Sequence, residues 1–199
     1  MLLEMTIDDK IDEFKKHLPL LDETALVRKF ITSGDCYVVN QDKYLDLKTM
    51  VADHFDIHPN EVLIVGSGKL GFSISENLAK SKPRYRHFSE SSDIDVAIIS
   101  QGLFDRIWKD LYNYIEDKNY WQKQHEFTTY HFTGWMRPDM LPNSPRFDFT
   151  QTIWWDFFNN LTSSQQFGDY KIRGGLYRNW HFLERYQVKC VRQCKIELK

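Results

Sequence analysis

The sequence predicts an α+β chain, a mixed sheet flanked by helices with helical extensions at its N- and C-terminal sides. Val62 to Val65 is a short, β-branched apolar run that ends at Gly66-Ser67-Gly68, as a buried strand feeding a tight turn does. Asp93 to Ile99 alternates carboxylate and apolar residues before becoming wholly apolar, the pattern of a second strand anchored in a core. On either side, apolar residues recur at intervals of three and four.

The elements follow in order. Ile7, Ile11, Phe14 and Leu18 give a helix over 5 to 17, and Leu26, Val27, Phe30 and Ile31 give another over 22 to 32, with Gly34 as its stop. Cys36 to Val39 reads as a short strand, and Tyr44 to Phe55 as a third helix ending before a turn at Pro59. Phe104, Ile107, Trp108, Leu111 and Ile115 mark a crossover helix over 103 to 116. His125 to Phe132 reads as extended, and Arg137 to Pro145, with three prolines, as a loop. Arg146 to Thr150 alternates again and reads as a strand. Trp154, Trp155, Phe157 and Phe158 belong mostly to a core. Gly174-Gly175 reads as a break before a last helix from about 176 to 198.

With 199 residues, 42% hydrophobic and 15% aromatic, the chain has the material for one packed domain. It divides into a helical layer (1–58), a core (59–152) and a helical C-terminal part (153–199). A formal charge of −2 excludes a globally basic nucleic-acid binder, so any contact with RNA or DNA is local. Three cysteines, Cys36, Cys190 and Cys194, do not make a disulfide framework, and Cys190 with Cys194 fits ordinary helix packing. No extended apolar run opens the chain, so neither a signal peptide nor a membrane span is expected and the protein is expected to be cytoplasmic.

The chemistry concentrates between 66 and 95. Glycines at a strand-to-helix turn let backbone N–H groups approach an oxyanion, so Gly66 and Ser67 are expected to hold a triphosphate, with Lys69 and Ser92 as further nucleotide-binding residues. A P-loop does not fit: Lys69 is followed by Leu70, and the residue five before Gly68 is Leu63. Asp93 and Asp95 share one strand face, where their repulsion calls for a hard divalent cation. A two-ion site wants a third carboxylate. Asp148, between Phe147 and Phe149, is the candidate, with Asp139 and Asp156 as substitutes.

Gly66-Ser67, Asp93-Ile94-Asp95 and the later Asp148 together resemble the DNA polymerase beta-like nucleotidyltransferase superfamily, over residues 60 to 152. The resemblance implies a nucleotidyltransferase-type sheet and two Mg²⁺ ions (or Mn²⁺) on Asp93, Asp95 and Asp148. It implies an NTP substrate, with NMP passing to an RNA or protein hydroxyl and pyrophosphate released. Compact members of that superfamily often sit in toxin–antitoxin or phage-defence settings, which suggests such a role and a cognate regulatory protein. The alternative is a catalytically silent nucleotide-binding partner of the same fold. One departure is the 25 residues between Ser67 and Asp93. That insert, 77 to 92, carries Lys80, Lys82, Arg84, Arg86 and His87, and reads as a mobile basic loop able to steer an anion, or as a solvated surface.

Overall fold

The computed structural model describes residues 5–76 and 81–197. Four strands form one mixed sheet in the order β1-β2-β4-β3: β1 (Val62–Val65), β2 (Asp93–Ile99), β3 (Trp135–Met136) and β4 (Lys171–Tyr177). β1 runs antiparallel to β2, β2 parallel to β4, and β4 antiparallel to β3. The expected α+β architecture is what the chain adopts.

Each strand face has its own core, because successive side chains leave a strand on opposite sides. Val62, Ile64, Ile94, Val96, Ile98, Ile172 and Leu176 pack against α3 (Gln41–Phe55), α5 (Gln101–Glu116) and α7 (Asp156–Ser163). Leu63, Val65, Ala97, Ile99 and Tyr177 pack instead against α1 (Ile7–His17), α2 (Glu23–Val27) and α8 (Trp180–Ile196). The helices begin where the sequence supplies caps. The Thr6 hydroxyl accepts from Asp9 N–H while the Asp9 carboxylate accepts from Thr6 N–H, a reciprocal pair that satisfies two otherwise orphaned donors at the start of α1. The Asn40 side chain does the same service for α3, and the Ser100 hydroxyl for α5. α2 runs on as a π-helical turn, Arg28–Thr32, that ends just before Gly34 at φ +71°.

Several expected elements take another form. Cys36 to Val39 is not a strand: the Tyr37 and Val38 N–H groups donate to the carbonyls of Lys69 and Gly68, tying this segment to the turn after β1. His125 to Phe132 is helical, as α6 (Gln124–Phe132). Its extended appearance misleads because Phe132 is 88% exposed, Phe127 alone is fully buried with Tyr130 packed beside it, and the Thr128 and Thr129 hydroxyls bond back to the His125 carbonyl. Arg146 to Thr150 is not a strand either: a π-helical turn, Phe149–Trp155, starts there and leads into α7. Gly174-Gly175 lies inside β4, and the last helix begins at Trp180. The segment after 153 therefore supplies a strand to the sheet as well as helices, and the core bounds of 59–152 leave that strand out.

The insert is only partly free. Lys80 lies outside the described residues. Arg84 is held against α8, its guanidinium 2.6 and 2.8 Å from the Glu197 carboxylate with its side chain 9% exposed. Arg86 donates to the carbonyls of Ser75 and Pro83, and His87 pairs with Asp8 at 2.9 Å. Among the described residues, no helix is long and apolar enough to cross a membrane.

Candidate functional site

The site forms where β1 ends and β2 and β4 begin, on the face covered by α8. Val65 closes β1 opposite Asp95 of β2. The chain then turns at Gly66, at φ +65°, straight into α4 (Gly66–Leu70). A side chain at position 66 would carry a double penalty: the left-handed backbone disfavours it, and its Cβ would stand 3.2 Å from Asp95 Oδ2. Glycine is what allows the bend to run against the carboxylate.

Asp93 and Asp95 project to the same side of β2, while Ile94 is buried on the other. On β4, Arg173 is the register partner of Asp95, and its Nε lies 3.1 Å from Asp93 Oδ2. This ion pair is half exposed, so it contributes no more than about 1 kcal/mol. Asp95 makes no hydrogen bond or ion pair among the described residues. Asp95 is exposed at the mouth of the recess, and its pKa is pushed up to about 6, first by desolvation and then by the charge of Asp93, with Arg173 opposing. Two neighbouring acids without full compensation are the arrangement expected where a cation or polyanion–cation pair is to be received.

The recess has a volume of about 360 Å³. Gly66 and Ser67 line one end with Asp95 and Arg173, Ser73, Ser75 and Arg86 form a strap along one side, and Trp135, Tyr186 and Gln187 close the rest. Gly66, Ser67 and Asp95 thus share the recess, whereas Asp93, on the same face of β2 and paired with Arg173, is not among the residues that line it. Arg173 and the α8 residues were not legible as site residues. The signal was the alternation Lys171-Ile172-Arg173 ahead of the two glycines, a strand pattern masked by reading those glycines as a break.

Three expected site residues stand elsewhere. Asp148 does not reach Asp93 and Asp95. It precedes the π-helical turn, accepts from the Thr152 hydroxyl and lines a separate hollow of about 650 Å³ with His54, Arg106, Asp110 and Arg146. Its neighbours Phe147 and Phe149 pack in the core on the opposite face of the sheet, which explains why an alternating pattern was real yet placed the carboxylate on the wrong side. That hollow is larger than the recess but has no pair of strand carboxylates and no glycine bend. The substitutes fare no better: Asp139 pairs with Arg137, and Asp156 opens α7 and accepts from Gln151. Lys69 is buried, its ammonium donates to the Gly34 carbonyl, and it does not line the recess. Desolvation lowers its pKa, with Cys36 and Asp35 opposing. Ser92 closes the turn before β2, its hydroxyl accepting from Ser89 N–H at 3.0 Å, and does not line the recess.

These positions decide which metal the residues fit. Among the described residues no group of three or more Asp, Glu, His or Cys side chains is gathered to hold an ion. Asp93 and Asp95 alone suit one hard divalent cation, whose remaining ligands are water and phosphate oxygens. They do not suit two, since the third acid is absent and the neighbouring strand offers a guanidinium in its place. If the recess binds nucleotide, the remote Asp148 predicts that Asp148→Asn leaves that affinity within about twofold of wild type, as read by titration calorimetry in Mg²⁺. A tenfold or larger loss would put Asp148 back into the site.

No protein-family model, no curated protein and no solved structure matches this chain.

Proposed function

We propose that the recess between Gly66 and Asp95 binds a nucleoside triphosphate with one divalent cation and supports transfer of its NMP to an RNA or protein hydroxyl, releasing pyrophosphate. The observation that carries this reading is the unpaired Asp95 carboxylate pressed against the Gly66 bend, with Asp93 beside it. In this reading Asp93 and Asp95 hold the cation, Mg²⁺ or Mn²⁺, which when bound neutralises phosphate charge and polarises the phosphorus being attacked. Gly66 and Ser67 face the triphosphate from the strand end. Arg173 and Arg86 are cationic groups on the recess wall that favour an anionic substrate, while the aspartates would repel it without the cation.

A second reading is favoured by one specific observation. Where a third carboxylate would orient the acceptor hydroxyl, the strand beside Asp95 carries Arg173. A site of that kind can hold a nucleotide without transferring any part of it, as a sensor or as the regulatory partner of another protein.

One pair of measurements separates the readings. Binding of each NTP in Mg²⁺ is followed by calorimetry, and transfer by incubating α-labelled NTP with cell extract while monitoring pyrophosphate. Binding with transfer supports the enzyme, binding without transfer supports the silent partner, and no binding of any NTP overturns both. Mass spectrometry of extract RNA and protein would then identify the acceptor from its mass increment.

A further inference from the structure

The recess continues past the carboxylates along the same sheet face. The register that puts Arg173 beside Asp95 puts Gly175 beside Ala97, so for this stretch the floor carries nothing longer than a methyl group. α8 closes over it with Gln187, which is only 5% exposed, lines the recess and makes no hydrogen bond to any described residue. The Trp135 indole N–H, over Gly175, is a buried donor without a partner. The Trp135 ring lies within 2° of parallel to that of Tyr177, with centroids 5.8 Å apart, and the two make an aromatic wall.

A floor cleared of side chains, an aromatic wall, an orphaned indole N–H and a carboxamide residue that bonds to no described neighbour together suit a flat group with donors and acceptors on its edge. Resting on the triphosphate reading of the carboxylate end, we infer that Gln187 reads the edge of the nucleobase. A carboxamide offers a donor and an acceptor side by side, the arrangement through which glutamine makes two hydrogen bonds to one base. A phosphate or a single sugar hydroxyl would leave half of it unpaired. A site built to bond a polar edge rejects ligands that lack the match far more strongly than an apolar pocket does.

The test is calorimetric titration in Mg²⁺ with ATP, GTP, CTP, UTP and inorganic tripolyphosphate, which has the charge but no base. Wild type is expected to bind its preferred NTP at least about tenfold tighter than the least favoured one and than tripolyphosphate. Gln187→Leu should compress the four NTPs to within about threefold while tripolyphosphate binds as before. Gln187→Glu keeps the size but exchanges the donor for an acceptor, and should reorder the bases, which a purely structural role would not do. Thermal unfolding checks that each variant folds. Should the leucine variant fail, the wild-type spread and the glutamate variant decide. If wild type binds all four NTPs and tripolyphosphate alike, or both variants keep the wild-type order, base reading by Gln187 is wrong and the phosphate site still stands. If neither NTP nor tripolyphosphate binds, this inference and the reading beneath it fall together.

Discussion

Gly174→Ala is expected to leave little folded protein. Gly174 sits in the middle of β4 with its missing side chain directed at the α7 face, where a Cβ would lie 2.3 Å from Phe158 Cζ and 2.7 Å from Trp154 Cζ2. Neither ring can step aside: Trp154 is 0% and Phe158 1% exposed, and both are packed on Phe55. Overpacking a close-packed core typically costs about 1–3 kcal/mol. A backbone-fixed atom against two immobile rings belongs at or beyond the top of that range, a large share of the roughly 5–15 kcal/mol that holds a domain together. Urea denaturation and soluble yield check this, with Gly175→Ala as the comparison. There the new methyl faces the recess and meets only Trp135 Nε1 at 3.2 Å, so stability should fall by no more than about 1 kcal/mol. Equal midpoints for the two variants would mean that the rings do not constrain β4.

Asp95→Asn should remove function without lowering stability. If Asp95 helps hold the cation against the triphosphate, losing its charge should weaken Mg-dependent NTP binding or transfer by about a hundredfold or more, as loss of one charged group in a partly desolvated site does. The stability effect is read on metal-free protein. Asp95 has its pKa raised from 3.8 to about 6 on folding. Between those values the folded chain keeps a proton that the unfolded chain has released, so ionising Asp95 in the fold becomes progressively costly. Its favourable protonated contribution is complete below pH about 4 and lost as pH rises through about 6. The neutral asparagine escapes that loss, and because Asp95 is exposed to screening solvent the gain is small: Asp95→Asn should melt at or slightly above wild type at pH 8, with any difference vanishing near pH 4. A variant that is less stable than wild type at pH 8 would show that Asp95 is a structural acid rather than a strained functional one.

Legibility in the sequence followed local chemistry closely and partner choice poorly. β1 and β2 were readable because a bounded apolar run, a carboxylate–apolar alternation and the glycine bend are self-contained signals. α3 and α5 were readable because their apolar stripes are long. What the pattern of a short segment conveys is which residues are buried, and that held at Phe147 and Phe149, which are 5% and 9% exposed. It does not convey the element that buries them. The rings found Tyr114 and Trp154 beside a helical turn instead of a place in the sheet, and Asp148 went with them.

β4 was hidden for a different reason. Glycine in a strand normally marks weakness, but Gly174 is required by rings from Trp154 and Phe158, 20 and 16 positions earlier, and no local reading can see them. Gln187 was hidden because a polar residue on a helix is usually solvated; only the packing of α8 over the recess makes it a buried one. The two aspartates and the glycine bend announced a site, whereas its walls depended on contacts that only the folded chain brings about.

The order of the strands also has a consequence in time. β2 lies between β1, which precedes it, and β4, which emerges from the ribosome about 70 residues later than Ile99. Until Lys171 to Tyr177 are synthesised, one edge of the aspartate-bearing strand has no neighbour, and an apolar edge of that kind recruits other chains. Nascent chains stalled before Lys171 should therefore aggregate or engage chaperones even though they contain every residue of the glycine–aspartate motif.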